Sequence, residues 1–437
     1  GASAPIYSCV DANGRRLSLA YGVLAGAMAL VTIARDGMLF LIAWELMALA
    51  AYFAATAEDD RREVRRAGWI YLIATHLGTL CLFAMFALWH SATGSFAWGA
   101  PSHALPAPTA AALFALALVG FGFKAGLMPL HVWLPGAHAN APSHVSAVMS
   151  GVMLKMGVYG IVRTTALLPA GPAWQGYALL AAGALSSVAG IAFAVSQRDL
   201  KRLLAYSSIE NIGIVAMGLG LALLGRSLGQ PAWILLGLGG ALLHVWNHSL
   251  FKSLLFLNAG AVIHAAGTRE IDRMGGLAKR MPQTAALFAA GAVAICALPP
   301  LNGFASEWLL YTGLFSTLGA AGGAAAPVAS LAAVALAMTG ALAVACFVKL
   351  YATAFLGEAR QKEGLHAHEA PPTLRGPMAV LAAGCALIGL CPLAAAAPLE
   401  AAVRLWACGA PLPALADAAP LSSLSALSCG LAALTLL

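Results

Sequence analysis

Long apolar segments follow one another through almost the whole chain, and their length limits what can be built from them. A helix rises about 1.5 Å per residue, so roughly 20 apolar residues cross a hydrocarbon layer of about 30 Å. Twelve such segments are predicted, near residues 17–34, 37–57, 67–90, 108–130, 143–168, 175–196, 207–225, 234–263, 283–316, 328–356, 377–397 and 420–437. Hydrophobic residues make up 61% of the chain and charged ones only 9%, a balance that soluble globular domains do not approach. The expected fold class is an all-α polytopic membrane protein with about 12 transmembrane helices.

If successive segments alternate in direction, the loops divide between two faces. Sixteen of the 24 lysines and arginines then lie on one face, in the loops around 15–16, 58–66, 197–202, 268–280 and 360–375. Only Arg35, Arg163, Arg226 and Arg404 fall on the other. This asymmetry makes the first face cytoplasmic, and it accounts for the net charge of +7 without nucleic acid as a partner. The location expected is a bacterial-type inner (cytoplasmic) membrane.

The remaining four lysines, Lys124, Lys155, Lys252 and Lys349, lie inside predicted spans. Two of them flank a proline-punctuated break in the stretch 121–163. Pro129 has no N–H, so a helix running through it leaves the carbonyl of Ala125 unpaired beside Lys124, and Pro129, Pro135 and Pro142 together forbid one continuous helix. A broken helix with an ammonium at the break is a polar site set within the membrane.

The segments repeat in the order of their polar residues. Helices one to five carry Glu45 on the second, His76 on the third, Lys124 on the broken fourth and Lys155 on the fifth. Helices six to ten carry Glu210 on the second, His244, His248 and Lys252 on the third, Glu307 on the fourth and Lys349 on the fifth. The second copy's fourth helix is broken in turn, at Pro299 and Pro300. Five is odd, so the second copy enters the membrane from the opposite side: two inverted five-helix repeats with discontinuous helices at matching places, the signature of ion and solute transporters. The domains expected are an N-terminal remnant at 1–16, a first repeat at 17–168, a second at 175–356, and a C-terminal loop with additional helices at 357–437. Both ends read as cut.

Each buried polar residue has a structural reading beside the functional one. A charge at mid-span costs about 2.5–3.5 kcal/mol even on permissive scales. Glu45 and Lys124 could form a structural ion pair, or Lys124 could hold the two halves of the broken helix by donating to freed carbonyls. Against this, the two carry opposite signs on helices of one repeat. His244, His248 and Lys252, four residues apart, share one helical stripe and could pass a proton along it. They could also only pack. His76, Lys201, Glu210 and Lys349 are secondary candidates.

The eight cysteines are scattered singly, with no C-x-x-C pair and no Cys/His cluster for zinc or iron–sulfur, so they read as small core residues and no metal is expected. No dinucleotide fingerprint or haem attachment motif is present, no cofactor is expected, and the driving energy must come from partner subunits.

The run KAGLMPLHVWLPGAHANAPSHVSA at 124–147, DLKRLLAYSSIENIG at 199–213 and the H-x-x-x-H-x-x-x-K at 244–252 resemble the antiporter-like proton-pumping subunits of respiratory complex I, of multisubunit cation/proton antiporters and of membrane-bound hydrogenases. ATHLGTL at 74–80, YSSIENIG at 206–213 and LPPLNGFASEW at 298–308 resemble the large membrane subunit of formate hydrogenlyase and related hydrogenases. The resemblance implies roles residue by residue. Glu45 matches the glutamate of a first half-channel, Lys124 its partner lysine, and Lys155 a lysine that some members carry on the next helix. His244, His248 and Lys252 match a central polar axis, and Glu307 a terminal position that is lysine or glutamate. Family members also carry about three helices before the first one here, and hydrogenase-type members continue beyond residue 437.

The reading that follows is a proton-translocating membrane subunit of a redox-driven complex, of the hydrogenase, formate hydrogenlyase or NADH dehydrogenase type. Its partners would be other membrane subunits, a peripheral redox arm, the bilayer, and protons, with Na+ as the alternative ion. Moving a carboxylate relative to a buried lysine changes how tightly the lysine holds its proton, which is how such a chain would load and release one. Two other readings are a cation/proton antiporter subunit driven by an ion gradient alone, and a membrane anchor that keeps the fold and conducts nothing.

Overall fold

A computed structural model describes residues 12–319, 324–361, 367–407 and 409–436. Cys9, Lys362, Cys408 and residues 1–11 of the N-terminal remnant lie outside the described residues. The chain divides into two compact units, 1–169 and 170–437.

The first unit contains α1 (Ala12–Ile33), α2 (Gly37–Ala55), α3 (Arg62–Thr93), α4 (Ala107–Ala125), the short α5 (Leu134–Asn140) and α6 (Ser143–Leu167), which carries a π-helical turn at Met149–Met153. The second contains α7 (Trp174–Ser196), α8 (Leu200–Leu228), α9 (Pro231–Ala266), α10 (Pro282–Ile295), α11 (Asn302–Ser316), α12 (Ala325–Phe355), α13 (Pro372–Leu390), α14 (Ala396–Trp406) and α15 (Leu421–Leu436). Ten helices among the described residues are long and apolar enough to cross a membrane. The predicted segment 283–316 is two shorter helices, α10 and α11, because the backbone turns at 296–301 around Pro299 and Pro300. With α15, this brings the twelve predicted segments and the observed helices into agreement, and the chain is a multi-pass α-helical membrane protein.

The repeat extends to the backbone. Asp36 caps α2 by accepting from the amides of Met38 and Leu39 at 2.8 and 3.3 Å, and Asp199 caps α8 by accepting from Lys201 and Arg202 at 2.9 and 3.0 Å. Each aspartate lies on a two-residue bridge to the loop that follows its unit's third long helix. In the first unit the amide of Gly37 donates to Phe96 and that of Trp98 to Arg35, both at 2.8 Å; in the second, Leu200 donates to Arg269 at 3.0 Å and Ile271 to Arg198 at 2.8 Å. The interrupted helices close alike. Leu127 donates to the carbonyl of Gly122 and Leu130 to that of Leu127; Leu298 donates to Val293 and Leu301 to Leu298. Each copy thus has its N-cap aspartate, its bridge and its break at equivalent places, which charge order alone suggested.

In the second unit the basic loops gather at one end. Arg269 pairs with Asp199 at 2.8 Å, Arg198 reaches Asp272 at 3.4 Å, Gly276 donates to Leu356, and Arg360 donates to the carbonyl of Met274. In the first unit Arg163 stacks over Trp98, 4.3 Å from its ring centre, and donates to the carbonyl of Trp98, whose own amide bonds Arg35. Arg35 and Arg163 therefore sit at one end of that unit.

Candidate functional site

Lys124 occupies the last turn of α4 and is buried. Gly126 ends the helix in the left-handed region at φ 81°, which a side chain adopts only with strain. The closing turn leaves carbonyls without helical partners, and the Trp133 indole donates to that of Phe123 at 2.7 Å. This relieves part of the deficit that the proline pattern predicts, with an indole in the role considered for the lysine. Gly157 on α6 allows close contact here, since a Cβ on it would stand 2.5 Å from the Phe121 carbonyl.

The Lys124 ammonium points to neutral groups. Its Nζ is 3.5 Å from the Tyr71 hydroxyl on α3 and lies over the rings of Trp44 and Tyr71, 5.4 and 5.5 Å from their centres. Tyr71 in turn donates to the carbonyl of Ala48 at 3.1 Å. Glu45 does not pair directly with Lys124. Successive residues on a helix point about 100° apart, so α2 turns Trp44 toward Lys124 and Glu45 toward the flank of α3. There its Oε2 lies 3.4 Å from His76 Nε2, and its Oε1 is buried with no hydrogen-bond partner. The other His76 nitrogen, Nδ1, is 2.8 Å from the carbonyl of Leu72, which can only accept. With Nδ1–H committed there, Nε2 and the carboxylate face each other as two acceptors unless one proton lies between them.

Lys155 follows the π-helical turn, and its ammonium donates to the carbonyl of Ser150 within that turn. π-Bulges free backbone groups in this way and are frequent at functional sites.

The second unit holds a longer polar chain. Lys252 is fully buried, and its Nζ donates to the carbonyl of Leu204 at 2.7 Å and to Ser207 Oγ at 2.6 Å, both on α8. One turn further along α8, Glu210 Oε2 accepts from Asn211 Nδ2 at 3.0 Å. Asn211 Oδ1 is 3.0 Å from His244 Nε2, and His244 Nδ1 is 2.9 Å from Ser306 Oγ on α11. Ser306 also accepts from Asn247, which bonds Asn302 at the start of α11. His244 and His248 stack with ring centres 6.5 Å apart. Glu307, next to Ser306, is buried and forms no ion pair among the described residues. All three members of the predicted histidine–lysine stripe, together with Glu210 and Glu307, therefore lie in one buried region of this unit.

Two secondary candidates are placed differently. Lys349 is exposed and donates to the carbonyl of Val195 at 2.9 Å, in the last turn of α7, as a cation at a helix C-terminus does. Lys201 is buried in the first turn of α8. Sequence reasoning passed over Tyr71, Trp133, Ser207, Asn211, Asn247, Asn302 and Ser306. For Ser207, Asn211, Asn247 and Ser306 the available signal was a hydroxyl or amide within a turn of a predicted ionisable group; Tyr71, Trp133 and Asn302 carried no such signal. Among the described residues no group of three or more His, Cys, Asp or Glu is arranged to hold a metal ion.

Two interrupted helices, buried lysines at or beside them and repeated caps define an antiporter-like membrane fold. Residues 34–332 match the family described as NADH:quinone oxidoreductase/Mrp antiporter, transmembrane, and the chain belongs to that family. It is 42% identical to hydrogenase-4 component B of Escherichia coli strain K12 over 84% of this chain and 55% of that one. It is 39% identical to formate hydrogenlyase subunit 3 of the same strain, over 90% of this chain and 64% of that one. The chain thus spans less than two thirds of the length of these relatives. A chain of the archaeal membrane-bound sulfane sulfur reductase complex has a similar fold, with a TM-score of 0.74, 26% identity and coverage of 88% of this chain and 61% of that one.

Proposed function

We propose that this chain carries protons across a bacterial-type inner membrane as one subunit of a redox-driven complex of the hydrogenase or formate hydrogenlyase class. One observation carries the reading. Lys124 and Lys252 are both buried in membrane-length helices, yet their ammonium groups touch only a hydroxyl, carbonyls and aromatic faces. A lysine kept as half of a structural ion pair would sit on a carboxylate, since an unpaired buried charge is expensive. A lysine that gives up and regains a proton needs neutral oxygens that tolerate both states.

On this reading the first unit takes a proton at the Glu45–His76 pair and passes it to Lys124. The second works through Lys252, Glu210, His244 and Glu307, with His248 beside them. Lys155 is a further proton site at the π-turn. Redox chemistry belongs to partner subunits with a peripheral arm, as the names of the hydrogenase relatives suggest. The test is proton translocation by the assembled complex in inverted membrane vesicles, driven by its electron donor. Proton uptake that survives removal of Na+ is expected. Uptake that requires Na+ would favour a cation/proton antiporter subunit, and no uptake would leave a membrane anchor.

A further inference from the structure

We infer that Ser306 is a two-position hydrogen-bond switch that reads the charge of His244 and passes it to the turn of α11 that carries Glu307. The inference rests on the proton-carrying reading above, and its basis is a count of donors and acceptors.

Two amides fix the histidine's surroundings. Asn211 Nδ2 lies 2.7 Å from the carbonyl of Ser207, which can only accept, so the amide cannot be reversed and its Oδ1 must face His244 Nε2. Nε2 therefore carries a hydrogen in every state. Asn247 Nδ2 lies 2.7 Å from the carbonyl of Asn302, and its Oδ1 accepts from Asn302 Nδ2 at 3.1 Å, which fixes that amide too. Its second N–H is left to donate to Ser306 Oγ at 3.0 Å.

Ser306 then has one hydrogen for two acceptors. Its Oγ is 2.9 Å from His244 Nδ1 and 3.0 Å from the carbonyl of Gly303. When His244 is neutral, Nδ1 is an acceptor and the hydroxyl hydrogen turns to it. When His244 takes up a proton, Nδ1–H donates to Oγ, and the hydroxyl hydrogen turns to Gly303. Gly303 stands four residues before Glu307, so its carbonyl is the one the Glu307 amide bonds in an α-helix. Charging the histidine thus adds a second donor to the carbonyl that anchors the Glu307 turn. Gly303 cannot shift away easily, because a Cβ there would stand 2.0 Å from the carbonyl of Ala294. Ser306 is a positioning residue: it carries no net proton and exchanges one hydrogen bond for another.

The test uses the complete complex in inverted vesicles, with transport normalised to the assembled complex on native gels. Ser306→Ala removes both positions of the switch, and a loss of at least tenfold in proton uptake per assembled copy is expected. Ser306→Thr keeps a hydroxyl and should restore uptake to within about threefold of the wild type. If the alanine variant fails to assemble, Ser306→Cys replaces it; its thiol fills the site but is a weak donor and acceptor, and the same loss is expected. Wild-type uptake with alanine or cysteine overturns the switch, and so does a threonine variant as defective as alanine. A wild-type complex that takes up no protons overturns the proton-carrying reading itself, and the switch falls with it. Nitrogen-15 spectra of histidine-labelled complex, assigned by the line lost in His244→Gln, read the tautomer separately. The neutral His244 ring should carry its hydrogen on Nε2, and hydrogen on Nδ1 would contradict the switch.

Discussion

The Tyr71 hydroxyl lies 3.5 Å from the Lys124 ammonium and donates to the carbonyl of Ala48, so a neutral phenol stands where an ion pair would supply a carboxylate. Tyr71→Phe keeps the ring under the ammonium and removes only the oxygen. A lost hydrogen bond of this kind costs about 1 kcal/mol. The variant should assemble, with proton uptake reduced several-fold; uptake unchanged from the wild type would remove Tyr71 from the path.

The Glu45 carboxylate faces His76 Nε2 at 3.4 Å while Nδ1 of the histidine sits at the Leu72 carbonyl, and in the proposed function this pair is where the proton enters. Glu45→Gln can offer its amide N–H to Nε2 and so preserves the contact while abolishing the exchangeable proton. Native gels should show normal assembly of this variant and vesicle assays at least a tenfold loss of uptake. His76→Gln should lose less, since the carboxyl that binds the proton remains. The reverse order would make His76 the carrier and Glu45 its support.

The loops at 58–66, 197–202 and 268–280 carry the positive charge expected of a cytoplasmic face. Single cysteines placed in each, in a cysteine-free background, should resist impermeant thiol reagents added to intact cells. Labelling of two of the three from outside would reverse the orientation.

Outside the membrane, Glu369 caps α10 from a distant loop, accepting from the amides of Gln283 at 2.8 Å, Thr284 at 3.3 Å and Ala370 at 3.0 Å, and from the Thr284 hydroxyl. Burial opposes its ionisation, but these hydrogen bonds outweigh it and hold the carboxyl below its ordinary range. A carboxyl with a depressed folded value stabilises above its unfolded value, near 4.3, and loses that contribution as pH falls through the folded one. Glu369→Gln should therefore cost about 1 kcal/mol at pH 7. Thermal unfolding in detergent checks this, with the gap between variant and wild type closing as the pH is lowered below the carboxyl's folded value. A gap that stays constant on acidification would show that the charge of Glu369 contributes nothing.

The fold was legible because apolar length, loop charge and proline are one-dimensional signals. The second segment was expected from residue 37, where Asp36 caps its helix, and the breaks fell at Pro129 and Pro300. The segment expected from 207 begins earlier, at Leu200, because Asp199 caps a first turn whose Lys201 and Arg202 hid it from the apolar count. Partner choice was not legible. The order of polar residues puts Glu45 and Lys124 on the second and fourth helices of one repeat, but the turn of α2 that directs Trp44 to the lysine also directs Glu45 to His76. The stripe of His244, His248 and Lys252 was visible from its four-residue spacing. Its partners Asn211 and Ser306 lie 33 and 62 residues from His244 and meet it only through packing of α8 and α11 around α9.

Lys124→Arg puts the account to its most direct test. Arginine keeps a cation over Trp44 and Tyr71 but does not release its proton near neutral pH. Proton uptake per assembled complex, driven by the electron donor in inverted vesicles, should fall at least tenfold while assembly on native gels is retained. Uptake at the wild-type rate with arginine at this position would show that Lys124 only holds the broken helix together, and would contradict the account.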